Sequence, residues 1–188
     1  MKSLRLLVML ILTLSTLGGA STAQTSCGTA RWNVKTLTDA AVGSVDFTAR
    51  GATVEELTAL PVPGPIQIHT PRYPTETRTY RVSGRLVGFK LETDSDIHVV
   101  IAGMSGATMI VEIPDPGCVG TVKHAEMNQA RADFIRAFGR PLRQFNRPAG
   151  APQLGVVGVL FFDVIHGQVG VAPNGVELHP VLAVSAGQ

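Results

Sequence analysis

The order of strand and helix patterns after residue 76 limits the possible folds more than any other feature of the chain. Three segments with strand patterns come first, TRTYRVSGRLVGFKLE, DIHVVIA and ATMIVEIP. A helical segment covers residues 121–138, where we expect Thr121 to cap the helix and Gly139, followed by Pro141, to end it. Two further strand segments follow, QLGVVGVLFFD and GVELHPVLAV.

This order predicts a mainly β fold in which residues 77–188 form an OB-like five-stranded barrel, with the helix between strands three and four. Gly84 and Gly88 lie inside the long first strand, where glycine allows the bends that a barrel needs. An open α+β sheet with one helix is the alternative.

The segment before the barrel has no comparable periodicity, and we expect residues 24–76 to form an extended arm packed on the core. Residues 27–39 fit a short strand and a turn. The stretch TVEELTAL fits a short helix in which Thr53 is the N-cap and Glu56 completes a capping box. Prolines recur from residue 61 to residue 74 and interrupt regular structure there.

The first 23 residues have the pattern of a signal peptide. Lys2 and Arg5 precede a short apolar run, and small residues lead to an expected cleavage after Ala23. The run is shorter than the roughly 20 residues of a spanning helix, although an uncleaved anchor is the alternative. We therefore expect an exported protein, periplasmic or extracellular, with no transmembrane segment after cleavage.

Cleavage also changes the charge balance. The chain has 16 lysines and arginines against 14 acidic residues, and without Lys2 and Arg5 it has 14 of each. The basic isoelectric point is therefore no argument for nucleic-acid binding. Cys27 and Cys118 remain, and an even number of cysteines in an exported chain predicts a disulfide, with two free thiols as the alternative.

Side-chain alternation predicts one polar face. If the apolar residues of strands two and three both point inward, His98 lies opposite Glu112 on the other face, and Met104, Ser105 and Gly106 form the loop. On strand five, Glu177 and His179 share a face. The binding surface of OB-folds comprises strands two and three and the loop between strands four and five. That loop supplies three further polar residues: His166, Gln168 and Asn174.

These groups support a hypothesis of metal-assisted hydrolysis, in which His98, His166 and His179 approach one another. His98, His179 and Glu112 are the predicted ligands of a divalent metal ion. The predicted catalytic residues are Glu177, Asn174 and His166. Glu177 would act as the general base or would hydrogen-bond a metal ligand, and Asn174 would orient a phosphate. The predicted ligand-binding residues are Asp94, Asp96 and Gln168. The substrate would be a phosphodiester of extracellular nucleic acid.

Two alternatives remain open at this point. The first is a non-enzymatic OB-type module that binds a glycan, a single strand or the cell envelope through hydrogen bonds. The second is a purely structural polar surface. Residues 123–147 are locally basic. This segment could bind a polyanion, or it could be a helix face that is exposed to solvent. The low aromatic content disfavours base stacking.

Four segments resemble a family of exported bacterial proteins with an HGQxGxAPNxxELHP motif: WNVKT, SDIHVVIA, TMIVEIP and HGQVGVAPNGVELHP. The resemblance implies export and carries no particular activity. ETDSDIH and EIPDP also resemble parts of the calcium site of staphylococcal-nuclease-like OB-folds, which implies cation ligands at Asp94, Asp96 and Asp115. The second segment lacks the threonine and glutamate of that family, and its paired arginines have no counterpart here.

Overall fold

The computed structural model describes residues 27–187, so the predicted signal peptide, residues 1–23, lies outside the described residues. The helices are α1 (Trp32–Lys35), α2 (Val54–Thr58) and α3 (His124–Phe138), with short 3-10 turns at Val42–Ser44, Pro74–Thr77 and Pro116–Cys118. The strands are β1 (Asp46–Gly51), β2 (Arg78–Leu91), β3 (Ile97–Ala102), β4 (Thr108–Ile113), β5 (Gln153–Phe162) and β6 (Val176–Ala186).

The sheet closes into the predicted OB-like barrel. Its strand order is β1-β2-β3-β4-β6-β5, and β2 also pairs with β5, so that β2 to β6 form a closed five-stranded barrel. The long strand β2 makes closure possible because its first half pairs with β5 and its second half with β3. The register with β3 shifts between Leu86 and Gly88, at one of the predicted bends. Strand β1 pairs in parallel with β2 outside the barrel and was not predicted.

The barrel interior is filled by the apolar residues that alternation assigns to it. Val99 lies opposite Val111 in the β3–β4 hairpin, as predicted, and both are fully buried. Helix α3 covers one end of the barrel, where Phe134 meets Phe89 edge to face, with ring centroids 5.0 Å apart. Within residues 27–187, no helix combines the length and apolar character needed to cross a bilayer.

The end of helix α3 was predicted correctly, and its start was not. Gly139 follows the helix with a φ of 84° and donates its N–H to the carbonyl of Ile135. The predicted cap Thr121 lies outside the helix, because Lys123 takes the cap position with a left-handed φ of 58°. In α2, by contrast, Thr53 and Glu56 form the predicted capping box.

The arm, residues 27–76, wraps the outside of the barrel. Residues 27–39 form no strand; they contain helix α1, which carries Trp32 and Lys35. The predicted disulfide between Cys27 and Cys118 is present and ties the start of the arm to the turn after β4. Arg31 and Glu76 form a fully buried ion pair beneath the arm. These contacts cover a barrel face that would otherwise meet water.

Candidate functional site

Three polar side chains form a row across neighbouring strands on the outer face of the barrel. The hairpin register places His98 of β3 opposite Glu112 of β4, as predicted. Strand β6 runs parallel to β4 with Val111 beside Leu178, which brings His179 next to Glu112. Helix α1 and the β5–β6 loop (residues 163–175) cover this row. His98, Glu112 and His179 are therefore only 1%, 7% and 0% exposed.

The first imidazole of the row is held at both nitrogens. His98 Nε2 lies 2.9 Å from the carbonyl oxygen of Val169, and Nδ1 lies 3.0 Å from Glu112 Oε1. A carbonyl oxygen only accepts, so Nε2 carries a hydrogen and Nδ1 faces a carboxylate oxygen. That contact is favourable only with a proton or a cation between the two atoms.

Without a cation, His98 and Glu112 form an ion pair. Burial opposes the charge on His98, but the hydrogen bond to Glu112 and its negative charge outweigh burial and raise the pKa of His98. Burial likewise opposes ionisation of Glu112. The hydrogen bond from His98 and the charge of Lys35 nevertheless lower the pKa of Glu112.

The second imidazole of the row lacks hydrogen bonds. His179 Nε2 lies 3.3 Å from Asp96 Oδ2, and His179 Nδ1 lies 3.5 Å from Glu112 Oε2. Both ring nitrogens and Asp96 Oδ2 are buried without a hydrogen-bond partner among the described residues. Buried polar atoms of this kind are rare in folded proteins. The ring of His179 thus lies between the carboxylates of Asp96 and Glu112 without a hydrogen bond to either.

Within residues 27–187, two overlapping sets of side chains are spaced so that they could hold a metal ion, and Glu112 belongs to both. One set is Glu92, His98 and Glu112; the other is Asp96, Glu112 and His179, each with its ligand atoms within 4.8 Å of one another. Ligand atoms around a tetrahedral ion lie about 3.4 Å apart when the bonds are about 2.1 Å long. His98 Nδ1 lies 3.0 Å from Glu112 and 3.6 Å from Glu92, which fits that spacing.

The first set opens onto a cavity, and the second does not. A cavity of about 510 Å³ lies between the arm, the β2–β3 loop (residues 92–96) and the β5–β6 loop. Its acidic lining comprises Glu92, Asp94, Glu112, Asp163 and Glu177. Asp96 and His179 lie behind that wall. We call this space the acidic cavity. It coincides with the usual ligand surface of OB-folds.

The acidic cavity holds one lysine. Lys35 Nζ lies 3.1 Å from Asp163 Oδ2, and both side chains are largely buried. Burial disfavours the ammonium, but the charges of Glu112, Asp163 and Glu177 outweigh it and raise the pKa of Lys35. Burial, reinforced by Asp163 and Glu112, raises the pKa of Glu177 well above its usual range. Burial also raises the pKa of Asp94. The pKa values of Glu177 and Glu112 are therefore shifted in opposite directions.

The remaining predicted residues serve the loops around the acidic cavity. His166 is exposed at the rim and belongs to neither ligand set, because the turn at Gly167 leaves it outside the row. Gln168 holds that turn by accepting from the N–H of His166 and donating to the carbonyl of Val164. His166 therefore does not join His98 and His179 in a ligand set, as had been predicted; its backbone N–H instead binds Gln168 within the loop.

Asn174 has no free amide group to orient a phosphate. Its Nδ2 donates to the carbonyls of Leu57 and Leu60, and its Oδ1 accepts from the N–H of Val176. It therefore joins the β5–β6 loop to helix α2.

Four cavity residues were missed: Trp32, Lys35, Glu92 and Asp163. Trp32 and Lys35 lie in a segment whose pattern predicts a strand, and only in the observed helix α1 does their i, i+3 spacing place them on one face. Asp163 directly follows β5. Its Oδ1 accepts from the N–H of Val164, and its Oδ2 accepts from Lys35. Glu92 follows β2, and its Oε1 also lies 2.8 Å from Lys90 Nζ.

Comparisons with known proteins identify no family. No protein-family model matches the chain, and no curated protein matches it. One solved structure, described as a putative aspartyl-tRNA synthetase from Leishmania major Friedlin, aligns with a TM-score of 0.42 and 12% sequence identity. The alignment covers 76% of this chain and 21% of that chain. This similarity carries no functional conclusion.

Proposed function

We propose that the protein is an exported, metal-dependent hydrolase that cleaves phosphodiesters of extracellular nucleic acid. The observation that carries the proposal is the position of Glu112, with one oxygen facing His98 and the other facing His179 at the wall of the acidic cavity. The disulfide is compatible with an oxidising compartment.

In this proposal the ion binds to Glu92, His98 and Glu112, the set that faces the cavity. Three protein ligands leave a coordination position for water, as in catalytic rather than structural sites. One imidazole with two carboxylates suits Zn²⁺ or Mn²⁺. Binding requires His98 to lose the proton it shares with Glu112, and Lys90 to share Glu92 with the ion. The buried ring of His179 lies behind Glu112, with Nδ1 3.5 Å from the far oxygen of that carboxylate, and so limits how far the ligand can turn.

Two further side chains have suitable chemistry for hydrolysis. The metal ion would activate a water molecule and polarise a phosphoryl oxygen. Burial raises the pKa of Glu177, so this side chain is better suited to protonate the leaving oxygen than to act as a base. The ammonium of Lys35 is suited to balance negative charge that develops in the cavity.

The test is metal content together with hydrolysis. Protein dialysed against Zn²⁺ or Mn²⁺ and then against metal-free buffer should retain one equivalent by mass spectrometry. It should also cleave a labelled single-stranded oligonucleotide. Glu112→Gln should lose both properties. Glu126→Gln, on the surface of α3, is the matched control and should keep both. Retention of metal by Glu112→Gln, or no metal in the wild type, would contradict the proposal.

A non-catalytic binding module is the second candidate. The His98–Glu112 pair is complete as an ion pair without a metal, and Trp32 lies beside the carboxylates of the cavity. An aromatic ring beside hydrogen-bonding groups suits an uncharged glycan. The same experiment separates the two functions, because the binding module retains no metal and hydrolyses nothing.

A further inference from the structure

A second charged feature lies next to the acidic cavity and has the opposite sign. Residues 139–152, which connect α3 to β5, follow the outside of strand β2. Leu91 donates its N–H to the carbonyl of Leu142 at 2.7 Å, and Phe89 and Asn146 exchange two backbone hydrogen bonds of 2.8 and 2.9 Å. These contacts fix a connection that has no regular secondary structure.

This connection carries only positive charge. No acidic residue occurs between Asp133 and Asp163. The side chains of Arg140, Arg143 and Arg147 are exposed, and none forms an ion pair with any part of the chain that the structure describes. The Arg147 guanidinium stacks over the Phe145 ring, 5.0 Å from its centroid. The three arginines form what we call the arginine track.

The arginine track reaches the rim of the acidic cavity. Arg143 Nη1 donates to the carbonyl oxygen of Glu92 at 3.1 Å, and the side chain of Glu92 lines the cavity. On the cavity wall formed by the arm, Trp32 presents the sole indole of the chain. Exposed guanidinium groups on a connection with fixed backbone contacts therefore lead to a cavity with an aromatic ring.

We propose that the arginine track binds the phosphate backbone of a single-stranded nucleic acid and directs that strand into the acidic cavity. This inference rests on the proposed function, for which it names the form of the substrate. Guanidinium groups bind phosphate in a bidentate manner, and a basic groove beside an aromatic ring is the usual arrangement for single strands. A cavity of about 510 Å³ admits the end or a flipped nucleotide of one strand and not a duplex.

The first experiment measures binding without catalysis. Anisotropy of a fluorescein-labelled 12-mer of mixed sequence, as DNA and as RNA, is titrated in EDTA at several KCl concentrations. Each phosphate contact contributes about 0.7 to the slope of log K against log salt for a single strand. Substituting Arg140, Arg143 and Arg147 by Gln should reduce that slope by about 2 and weaken binding at least about tenfold at low salt.

A matched control separates position from net charge. Arg78, Arg81 and Arg85 are equally exposed and lie on strand β2, outside the cavity lining. Their triple substitution by Gln removes the same charge and should leave the slope unchanged. If the two triple variants reduce the salt slope and the affinity for the oligonucleotide equally, the proposal that the arginine track binds the strand is refuted. Binding of heparin or of anionic vesicles without binding of either oligonucleotide would refute it as well.

A second measurement separates failure of the track from failure of the proposed function. With metal present, a double variant that replaces Arg140 and Arg147 by Gln, and keeps the contact of Arg143 with Glu92, should cleave bis(p-nitrophenyl) phosphate at the wild-type rate while its KM for the oligonucleotide rises at least severalfold. If the protein holds no metal and hydrolyses nothing, but the arginine substitutions reduce the salt slope as expected, the hydrolase proposal is refuted and the proposal that the arginine track binds a single strand stands. An unchanged KM for the oligonucleotide would refute the track and keep the hydrolase.

Discussion

The buried ion pair that fastens the arm gives a prediction whose size follows from the structure. The Arg31 guanidinium binds both oxygens of Glu76, at 2.8 and 2.7 Å, and neither side chain has any exposed surface. Arg31 also donates to the carbonyls of Thr70, Pro71 and Phe162. One side chain therefore connects the arm to itself and to strand β5.

Replacing Arg31 by Met preserves most of the side-chain volume but leaves the Glu76 carboxylate buried without its counter-charge. Breaking a buried pair in this way costs about 3–5 kcal/mol. Glu76 still accepts the N–H groups of Tyr73 and Phe162, which keeps the loss within that range. Adding Glu76→Gln removes the stranded charge, so the double variant should be more stable than Arg31→Met alone.

The assay is urea unfolding followed by circular dichroism and by the fluorescence of Trp32, which adjoins Arg31. We expect Arg31→Met to shift both transitions to lower urea. Arg50→Met is the control, because Arg50 and Asp46 form an exposed pair and its loss should leave the unfolding free energy nearly unchanged. A loss of less than about 1 kcal/mol in Arg31→Met, or a double variant less stable than the single one, would refute the argument.

Three further outcomes are expected. Burial raises the pKa of Glu177 above its ordinary value of 4.5, so the folded state holds that proton more tightly than the unfolded chain does. Stability should therefore fall as pH rises above about 4.5, and Glu177→Gln should reduce this fall in urea titrations from pH 5 to 9; parallel curves would contradict it. Asn174→Ala should lower the unfolding free energy by about 1–3 kcal/mol without changing the rate of hydrolysis, whereas a lost rate at full stability would restore a catalytic role. Cys27→Ser with Cys118→Ser should lower thermal stability by about 4–5 kcal/mol in the chain-entropy model, and an unchanged melting temperature would count against that model here.

The barrel and the His98–Glu112 contact were predictable because both follow from local rules. Alternating apolar residues in two short strands, with a loop ending at Gly106, leave one register that buries both apolar sets. Gly106 has the left-handed φ of 89° that this loop needs. A register fixed in this way also fixes which polar side chains meet on the opposite face.

The cover over that face was not predictable, because it depends on contacts between distant parts of the chain. Arg31 meets Phe162 across 131 residues, and Lys35 meets Asp163 across 128. The arm has no periodicity that reveals such contacts. Without the arm, the sequence indicates an exposed polar surface; with it, the same residues form a buried site.

The loop residues show why polar density was a poor guide to chemistry. Asn, Gln and Asp bind backbone groups in turns as readily as they bind ligands. Gln168 and Asn174 hold the β5–β6 loop, and that loop in turn supplies the Val169 carbonyl that orients His98. Their contribution to the site is therefore to position it.

If the proposed function holds, the two neighbouring charged features would impose an order on the binding of metal and substrate. A phosphate entering the metal-free acidic cavity would meet carboxylates within a Debye length of about 8–10 Å, where salt screens them poorly. The arginine track would attract the same strand from outside. A divalent ion at Glu92, His98 and Glu112 would offset the charge of the cavity wall, so the strand would follow the track inward only after the metal has bound. The proposed metal would then be both the Lewis acid and the condition for substrate entry.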